Sequence, residues 1–302
     1  MDNKKYKIGF IGAGKMGNCL GRYISLSNSD RFIISGYYSK SPDSAESAAT
    51  AIGGMKYDSL EDIASDCEII LLTVPDGMIS EVWKSLASII DQQAIEQNVS
   101  VESSSNPSAK KVIAHCSGCM DSKVFNSSNC SFGSIHPLAA IFDKETAYKK
   151  LETAYFTIEG DEEFIDIASL LLDELGNNYA EIDASKKSLY HAASVAISNL
   201  TVALAYMGIE MYRDCNLPEN FAENAWKPLF LENATNICNI GPIAALTGPV
   251  ERGDSSTISK HLDAINDETR GAYIEMSKML VKIAQQKNPD RDYSELINLL
   301  EK

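Results

Sequence analysis

The stretch KIGFIGAGKMG, residues 7–17, decides the fold class of this chain. Its apolar start predicts a strand, and Gly12, Gly14 and Gly17 follow with the spacing G-x-G-x-x-G. The first glycine permits a tight turn, the second lets a pyrophosphate approach the backbone, and the third lets helix and strand pack closely. A helix N-terminus adds free N–H groups and partial positive charge. We therefore predict a dinucleotide cradle, which also includes Ala13, Lys15 and Met16; a plain glycine-rich turn is the alternative.

The first half of the chain alternates apolar runs with amphipathic stretches, which is typical of a parallel sheet with crossover helices. Strands are predicted over 7–13, 32–38, 68–74, 111–117, 130–135, 154–160 and 178–183, with helices that include 78–90 and 162–176. After Asp183 only helical patterns remain. We predict an α/β fold with a doubly wound, mostly parallel Rossmann sheet in residues 1–183, followed by an all-α domain in residues 184–302.

Composition excludes some classes of partner. The chain has 42 acidic and 27 Lys or Arg residues, a net charge of −15, which disfavours non-specific binding of nucleic acid. Seven scattered cysteines and an N-terminus without signal-peptide features predict a cytoplasmic protein. The uncharged run 191–209 is nearly long enough to span a membrane. Its Ser, Asn and Thr residues favour instead the buried central helix of a soluble domain.

The end of the second strand predicts the type of cofactor. NAD sites place an acidic residue there, but this chain has Ser39, Lys40 and Ser41, with no acid before Asp43. Two hydroxyls and an ammonium suit a 2′-phosphate, so we predict NADP; a solvated loop lysine is the alternative. After the next strand, Val74 and Pro75 form a stiff turn that either contacts the cofactor or simply ends the strand.

The motif HCSGC, residues 115–119, has the C-x-x-C spacing of metal and redox sites. A structural zinc site would need a second pair of Cys or His ligands, and a thioredoxin-like pair would open a helix in a different fold. We therefore predict no metal site and interpret Cys116 and Ser117 as small residues that line the nicotinamide, with redox chemistry as the weaker alternative.

Candidate catalytic residues lie where the helical region begins. Lys187, His191 and Ser194 share one face of a predicted helix, where a lysine or imidazolium can donate a proton and a hydroxyl can orient a substrate. Arg252, in a predicted loop over 245–256, can bind a substrate carboxylate. The alternatives are surface cations and a core histidine. His136 either lines the pocket or stiffens the turn before Pro137.

Six motifs in this order resemble uncharacterised Rossmann-like oxidoreductases that carry a helical domain of unknown function 2520: IGFIGAGKMG, TVPD, HCSG, SIHPL, KSLYHAASVAISN and ALTGPVERGD. The chain is more distantly similar to pyrroline-5-carboxylate reductase, ketopantoate reductase and the β-hydroxyacid dehydrogenases. In the last group a K-x-x-x-N pair is expected, but His191 stands where the asparagine would be, which speaks against that reaction. The resemblance implies NADP binding and a homodimer through the helical domain, without a known substrate.

These observations predict an NADP-dependent oxidoreductase that acts on a small carbonyl, hydroxy acid or cyclic imine. The alternative from another class is an NADPH-binding sensor without turnover. Reduction of a deazaflavin is a third hypothesis. Partners beyond the small-molecule substrate and a second copy of the chain, such as nucleic acid or a membrane, are not expected.

Overall fold

The predicted apolar strands form one sheet in the computed structural model, which describes residues 4–27, 29–100 and 110–302. Within those residues the strands are β1 (Tyr6–Ile11), β2 (Phe32–Tyr38), β3 (Met55–Lys56), β4 (Ile69–Leu72), β5 (Lys111–His115), β6 (Cys130–Pro137), β7 (Phe156–Gly160) and β8 (Tyr179–Glu181). Their order is β3-β2-β1-β4-β5-β6-β7-β8. The two-residue strand β3 has no apolar run, which explains why the sequence pattern does not predict it.

All neighbouring strands pair in parallel except β6 and β7, which are antiparallel. The chain builds outward from β1 to β3, then returns to place β4 on the other side of β1. Ligands of such sheets bind outside the carboxyl ends of the strands at this switch point. We call the edge at which β1, β2, β4, β5 and β6 end the carboxyl edge.

Helices cover both faces of the sheet. They are α1 (Lys15–Leu26), α2 (Pro42–Thr50), α3 (Leu60–Asp66), α4 (Asp76–Ser100) and α5 (Glu162–Leu175). Leu20 of α1 and Phe164 of α5 pack on one face, while Ile63 of α3 and Trp83 of α4 pack on the other. Helix α5 ends at Gly176, whose φ of 74° is left-handed, as the glycine there predicts. The doubly wound Rossmann fold is confirmed.

The chain divides into the units Met1–Ser198 and Asn199–Lys302, which places the boundary 15 residues beyond the predicted one. Asp183 caps a 3-10 turn over Ala184–Lys186, and helix α6 (Lys187–Ile197) follows within the first unit. The difference has a physical cause: Lys187 buries its side chain among residues of β6 and β7, so α6 packs with the sheet.

The second unit is helical as predicted. Its helices are α7 (Asn199–Asp214), α8 (Glu219–Asn224), α9 (Trp226–Ala245), α10 (Pro249–Arg252), α11 (Ser255–Ala264), α12 (Asp267–Lys287) and α13 (Ser294–Leu300). A small core of this unit contains Val250, Ile258, Val281 and Leu296. The predicted loop over 245–256 thus contains a short helix, with Pro249 at its first position and Arg252 at its last.

The prediction that 191–209 forms a buried central helix is wrong for the single chain. Among the described residues, Ala184–Asp214 is long and apolar enough to cross a membrane, and none of its most apolar window is buried inside the chain. The stretch also breaks at Ser198, between α6 and α7. Apolar composition does not reveal whether the atoms that cover a helix belong to the same chain.

Candidate functional site

The turn after β1 is held to the neighbouring strands by hydrogen bonds. Gly12 has a φ of +110°, a conformation that side chains disfavour, and its N–H donates to the Tyr38 carbonyl at 2.8 Å. The Thr73 hydroxyl donates to the Gly12 carbonyl at 2.7 Å. The turn is therefore tied to the ends of β2 and β4 at the carboxyl edge.

The other two glycines of the motif have different roles. A Cβ on Gly17 would lie 2.3 Å from the Gly12 oxygen and 2.6 Å from Thr73 Oγ1, so any side chain would push α1 off the turn. A Cβ on Gly14 would meet nothing within 4 Å, which leaves open space above the N-terminus of α1. Of the other loop residues, Ala13 is buried, Met16 is half-buried and Lys15 is exposed. This geometry fits the pyrophosphate of a dinucleotide.

Residues outside the glycine motif support this turn. Asn18 is buried and its amide donates to the Ala13 carbonyl at 3.0 Å. The buried Tyr37 hydroxyl donates to the Gly17 carbonyl at 3.1 Å. Neither residue was predicted, and neither was Thr73. Asn18 could have been found as a polar residue one helical turn into α1. Tyr37 could not, because in the sequence it resembles any other strand residue.

Ser39, Lys40 and Ser41 lie directly after β2, beside the turn. Ser39 is half-buried, while Lys40 and Ser41 are exposed. Ser41 also caps α2, because its hydroxyl accepts from the Ser44 N–H at 3.4 Å. A group bound here would meet a helix N-terminus, two hydroxyls and an ammonium.

The turns after β4 and β5 are joined by a hydrogen bond. Val74 is half-buried and Pro75 is exposed, and Asp76 opens α4. The Ser117 hydroxyl donates to Asp76 Oδ2 at 2.6 Å and accepts from the N–H groups of Cys119 and Met120. Asp76 was not predicted as a site residue, although it directly follows the quoted Val74-Pro75 pair.

The HCSGC motif forms a hydrogen-bonded turn. His115 is fully buried, accepts from the Ser117 N–H at its Nδ1 (3.2 Å), and lies 3.2 Å from the Asp121 carbonyl through its Nε2. Burial raises the pKa of the Cys116 thiol to about 12, so it stays protonated. The Cys119 sulfur is exposed and lies 3.7 Å from the Ser188 hydroxyl. The buried, protonated Cys116 is unsuited to a thiolate reaction.

Helix α6 packs on two cross-strand pairs that lie on the same face of β6 and β7. They are Ser134–Glu159 and His136–Thr157, and we call this surface the ladder face. Lys187 has 1% of its surface exposed. Its Nζ donates a hydrogen bond to Ser134 Oγ and lies 3.8 Å from Glu159 Oε2. Burial lowers the pKa of Lys187, and the Glu159 carboxylate opposes that shift.

This placement gives Lys187 protein partners, and its role as a proton donor stays a prediction. Its ammonium is taken up by Ser134 and Glu159, and Glu159 in turn accepts from the Ser122 hydroxyl at 2.6 Å and its N–H at 3.0 Å. Ser134 and Glu159 hold the ammonium in place within the protein. The alternative of a surface lysine is wrong, because the sequence pattern could not show that β7 supplies a buried carboxylate.

One turn further along α6, two more side chains face the ladder. Tyr190 Oη lies 2.9 Å from His136 Nδ1. The imidazoles of His136 and His191 have centroids 6.2 Å apart, with the backbone of Gly118 against both. Burial lowers the pKa of His136 to about 4, helped by the nearby charge of Lys187, so its imidazole is neutral at physiological pH. His136 and His191 therefore lie together beside Gly118, and their role toward a substrate stays a prediction.

Two further candidates are Ser194 and Arg252, which belong to different units of the chain. The Ser194 hydroxyl donates to the Tyr190 carbonyl at 3.1 Å, a local helix bond that competes with any ligand. Arg252 is exposed at the end of α10 in the second unit, where Asp254 caps α11. Its role toward a substrate carboxylate stays a prediction.

Two family models match the chain. Residues 7–110 match the family described as NADP oxidoreductase, coenzyme F420-dependent, and residues 154–280 match the domain of unknown function DUF2520. The two matches lie one after the other, an NADP oxidoreductase domain first and DUF2520 second. The resemblance drawn from the motifs is therefore confirmed, and so is NADP as the cofactor that the family description names. The DUF2520 match begins at residue 154, so it includes β7 as well as the helices. No curated protein matches the chain.

Solved structures share the fold over nearly the whole chain. Protein TM1727 from Thermotoga maritima is 26% identical, with 93% of this chain and 99% of that chain covered and a TM-score of 0.68. Pyrroline carboxylate reductase from Plasmodium falciparum, solved with NADP bound, is 14% identical (94% and 97% covered, TM-score 0.56). An imine reductase variant from Myxococcus stipitatus, solved with NAD+, is 13% identical (98% and 99% covered, TM-score 0.57). The last two show likeness of fold alone.

The geometry of the glycines predicts opposite effects for two alanine substitutions. Gly17→Ala should lower the melting temperature, because its Cβ would clash with the Gly12 carbonyl. Gly14→Ala should leave the melting temperature unchanged but weaken NADPH binding by about tenfold or more, since its Cβ occupies space for the pyrophosphate. Thermal unfolding and calorimetric titration measure both. Equal NADPH affinity in Gly14→Ala and the unchanged protein would contradict the cradle.

The enclosed Lys187 predicts a stability effect. Lys187→Met should lower the free energy of unfolding by about 3–5 kcal/mol, because it leaves the Glu159 carboxylate buried without its cation. Adding Glu159→Gln should restore part of the loss. Urea unfolding measures both, with Lys56→Met as control, since the solvent-accessible Lys56–Asp58 pair should contribute little to stability. A change for Lys187→Met no larger than the control's would contradict the assignment.

Proposed function

We propose that this protein is an NADP-dependent oxidoreductase that transfers a hydride to or from a small carbonyl, hydroxy acid or cyclic imine. The observation that carries the proposal is the continuity of the carboxyl edge. The open space at Gly14 lies after β1, the Val74–Pro75 turn after β4 and the Ser117 turn after β5. His136 lies near the end of β6. A dinucleotide bound along that edge would reach from its pyrophosphate to the imidazoles.

The residues of the cradle support the pyrophosphate end of this arrangement. Helix α1 begins at Lys15 with no acidic residue in its first turn, so its N–H groups and positive dipole end are available to phosphate. Gly12, Ala13, Gly14 and Met16 complete the loop. NADPH, when bound, supplies the hydride.

Ser39, Lys40 and Ser41 support NADPH over NADH. They follow β2, whose last residue Tyr38 accepts the hydrogen bond from Gly12, so they lie beside the cradle. The N-terminus of α2, which Ser41 caps, adds a further favourable field for a 2′-phosphate.

The substrate end rests on the imidazoles. Val74, Pro75, Cys116 and Ser117 would line the nicotinamide, and His191 would exchange a proton with the substrate. Lys187 holds α6 in position, and Ser194 is the weaker candidate because its hydroxyl is occupied. Arg252 is proposed to bind a carboxylate where the substrate carries one.

A deazaflavin is the second candidate substrate, because the matched family description names coenzyme F420. Reduction of such a bulky ring system by NADPH would use the same cradle. A substrate screen should therefore include a deazaflavin as well as small carbonyls and imines.

The cofactor proposal predicts a clear preference. NADPH should bind at least about tenfold more tightly than NADH, since a charge-assisted hydrogen bond contributes about 1.5–3 kcal/mol. Lys40→Ala should weaken NADPH alone, and Ser39→Asp should shift the preference toward NADH by repelling the 2′-phosphate. Calorimetric titration of each protein measures these affinities.

Lys84→Ala is the matched control for that experiment, because Lys84 is an exposed lysine on α4. Equal affinity of the unchanged protein for the two cofactors would contradict the role of Ser39 and Lys40. Binding of neither would contradict the oxidoreductase proposal itself. Tight NADPH binding without turnover of any carbonyl, imine or deazaflavin would favour a sensor.

We also propose that the protein is a cytoplasmic homodimer joined through its second unit. Helices α7 and α9 expose large apolar side chains, which in a soluble protein mark an interaction surface. These are Leu200, Val202, Leu204, Tyr206, Leu229, Leu231, Ile237, Ile240 and Ile243. Polar residues such as Asn199, Thr201 and Asn233 are interspersed, which suits a protein partner better than lipid.

The dimer proposal predicts that Val202→Glu with Leu231→Glu yields a monomer, because two carboxylates would be buried at the interface. Light scattering after size-exclusion chromatography measures the mass. Leu26→Glu is the control, since Leu26 is 61% exposed on α1 of the first unit. A monomeric unchanged protein, or one that sediments with phospholipid vesicles, would contradict the proposal.

A further inference from the structure

The paired imidazoles at the carboxyl edge have a specific geometry. A Cβ on Gly118 would lie 2.8 Å from His136 Nε2 and also 2.8 Å from His191 Nδ1. The two nitrogens therefore converge on the same side of the Gly118 backbone. The rings are nearly perpendicular, at 80°. One ligand atom near this point could contact both nitrogens.

Tyr190 is hydrogen-bonded to one nitrogen of His136, and the direction of that bond sets the tautomer. Burial raises the pKa of the Tyr190 hydroxyl, so it stays protonated and can donate to His136 Nδ1 at 2.9 Å. His136 is neutral, because burial and the charge of Lys187 oppose a cation more strongly than Asp76 favours one. A neutral imidazole that accepts at Nδ1 has its proton at Nε2. His136 Nε2–H is then a donor directed toward the convergence point.

His191 presents the complementary group. Its Nδ1 is buried and has no hydrogen-bond partner among the described residues. A buried polar atom without a partner is costly and requires an explanation such as a ligand that satisfies it. When the His191 proton is on Nε2, its Nδ1 accepts a hydrogen bond from such a ligand, while the neighbouring His136 Nε2–H requires an acceptor.

We propose that His136 and His191 divide the proton chemistry at one substrate oxygen: His136 Nε2–H donates a hydrogen bond to that oxygen, and His191 Nδ1 exchanges a proton with it. This inference rests on the proposed function. Tyr190 acts as a positioning residue, since it contacts His136 and not the substrate.

The reaction balances with NADPH as the hydride donor. In reduction, hydride adds to the carbonyl carbon, the π electron pair of C=O moves to oxygen, and the oxygen takes the proton from protonated His191 Nδ1. In oxidation, the hydroxyl proton passes to neutral His191 and hydride leaves the carbon for NADP+. His136 remains neutral and stabilises the charge that develops on oxygen.

The same geometry selects the substrate class. A hydroxyl oxygen accepts one hydrogen bond and donates another, so it satisfies His136 Nε2–H and His191 Nδ1 together. The ammonium, which is the form of a cyclic amine at neutral pH, has no lone pair for His136, and only the neutral amine that hydride addition first produces could accept from it. We therefore infer that the substrate pair is a carbonyl and its secondary alcohol, in preference to an imine and its amine.

The first test reads the tautomers without any turnover. In 15N-labelled protein loaded with NADP+, imidazole NMR should show His136 with its proton on Nε2 and no titration between pH 5 and 8. Tyr190→Phe should shift His136 toward a mixture of tautomers. His261 is the matched control, because its Nδ1 lies 2.7 Å from Tyr273 Oη in a second His–Tyr pair, and Tyr273→Phe should leave His136 unchanged. His136 protonated on Nδ1 would overturn the proposal.

The second test compares two size-matched five-membered rings, cyclopentanone and 1-pyrroline, as NADPH-dependent substrates. Cyclopentanone should be reduced with the higher kcat/KM. His191→Gln should lower kcat by about 100-fold or more, the range for a lost general acid. His136→Asn should lower kcat by about 100-fold, with partial recovery in His136→Gln, whose amide reaches the Nε2 position. Tyr190→Phe should lower kcat with little change in KM, while His261→Asn should change neither.

The outcomes separate this inference from the proposed function. Preferential reduction of 1-pyrroline, or full kcat in His191→Gln, would overturn the division of roles and leave the oxidoreductase intact. Turnover of neither compound by a protein that binds NADPH would count against the proposed function on small substrates. In that case the NMR tautomers still decide the assignment of the two imidazoles.

Discussion

The buried contact of Lys187 with Glu159 is the constraint on which the candidate site depends. Removing an ammonium and a carboxylate from water costs several kcal/mol per ion unless each finds its partner in good geometry. Helix α6 can therefore lie on β6 and β7 only where Lys187 meets Ser134 and Glu159. Because side chains three and four positions apart share a helix face, this placement also directs Tyr190 and His191 toward His136. The positions of the imidazoles follow from the contact of the buried ions.

A steric constraint governs the other end of the carboxyl edge. The Gly12 carbonyl and the Thr73 hydroxyl approach Gly17 so closely that a Cβ at residue 17 has no room. This contact holds the N-terminus of α1 against the ends of β1 and β4, the two strands between which the strand order reverses. The open position at Gly14 remains as the space for phosphate. Close packing thus determines the geometry of the glycine cradle, and the buried ion pair determines the positions of the imidazoles.

The boundary between the two family matches and the boundary between the two structural units fall at different residues. The DUF2520 match begins at residue 154 and so contains both Glu159 and Lys187, although these belong to a strand and a helix of the first unit. The partners of the buried contact therefore fall within one matched region. Fold neighbours at 13–14% identity share the framework, but a framework hosts many reactions, so the chemistry rests on the side chains at the edge.

The sequence by itself determined the Rossmann sheet, the glycine cradle and the helical second half, because strand and helix periods and the G-x-G-x-x-G spacing are local properties of the chain. It also singled out His191, Cys116 and Ser117 as candidate residues, from a helix face and a strand end that are visible in the sequence. Only the tertiary structure decided the unit boundary, the burial of Lys187 and the pairing of His136 with Tyr190 and His191. Those features join residues about 20 to 55 positions apart through the antiparallel β6–β7 pair. Likewise, apolar α7 and α9 residues could be read from the sequence, but their exposure could not, since burial depends on which surfaces meet.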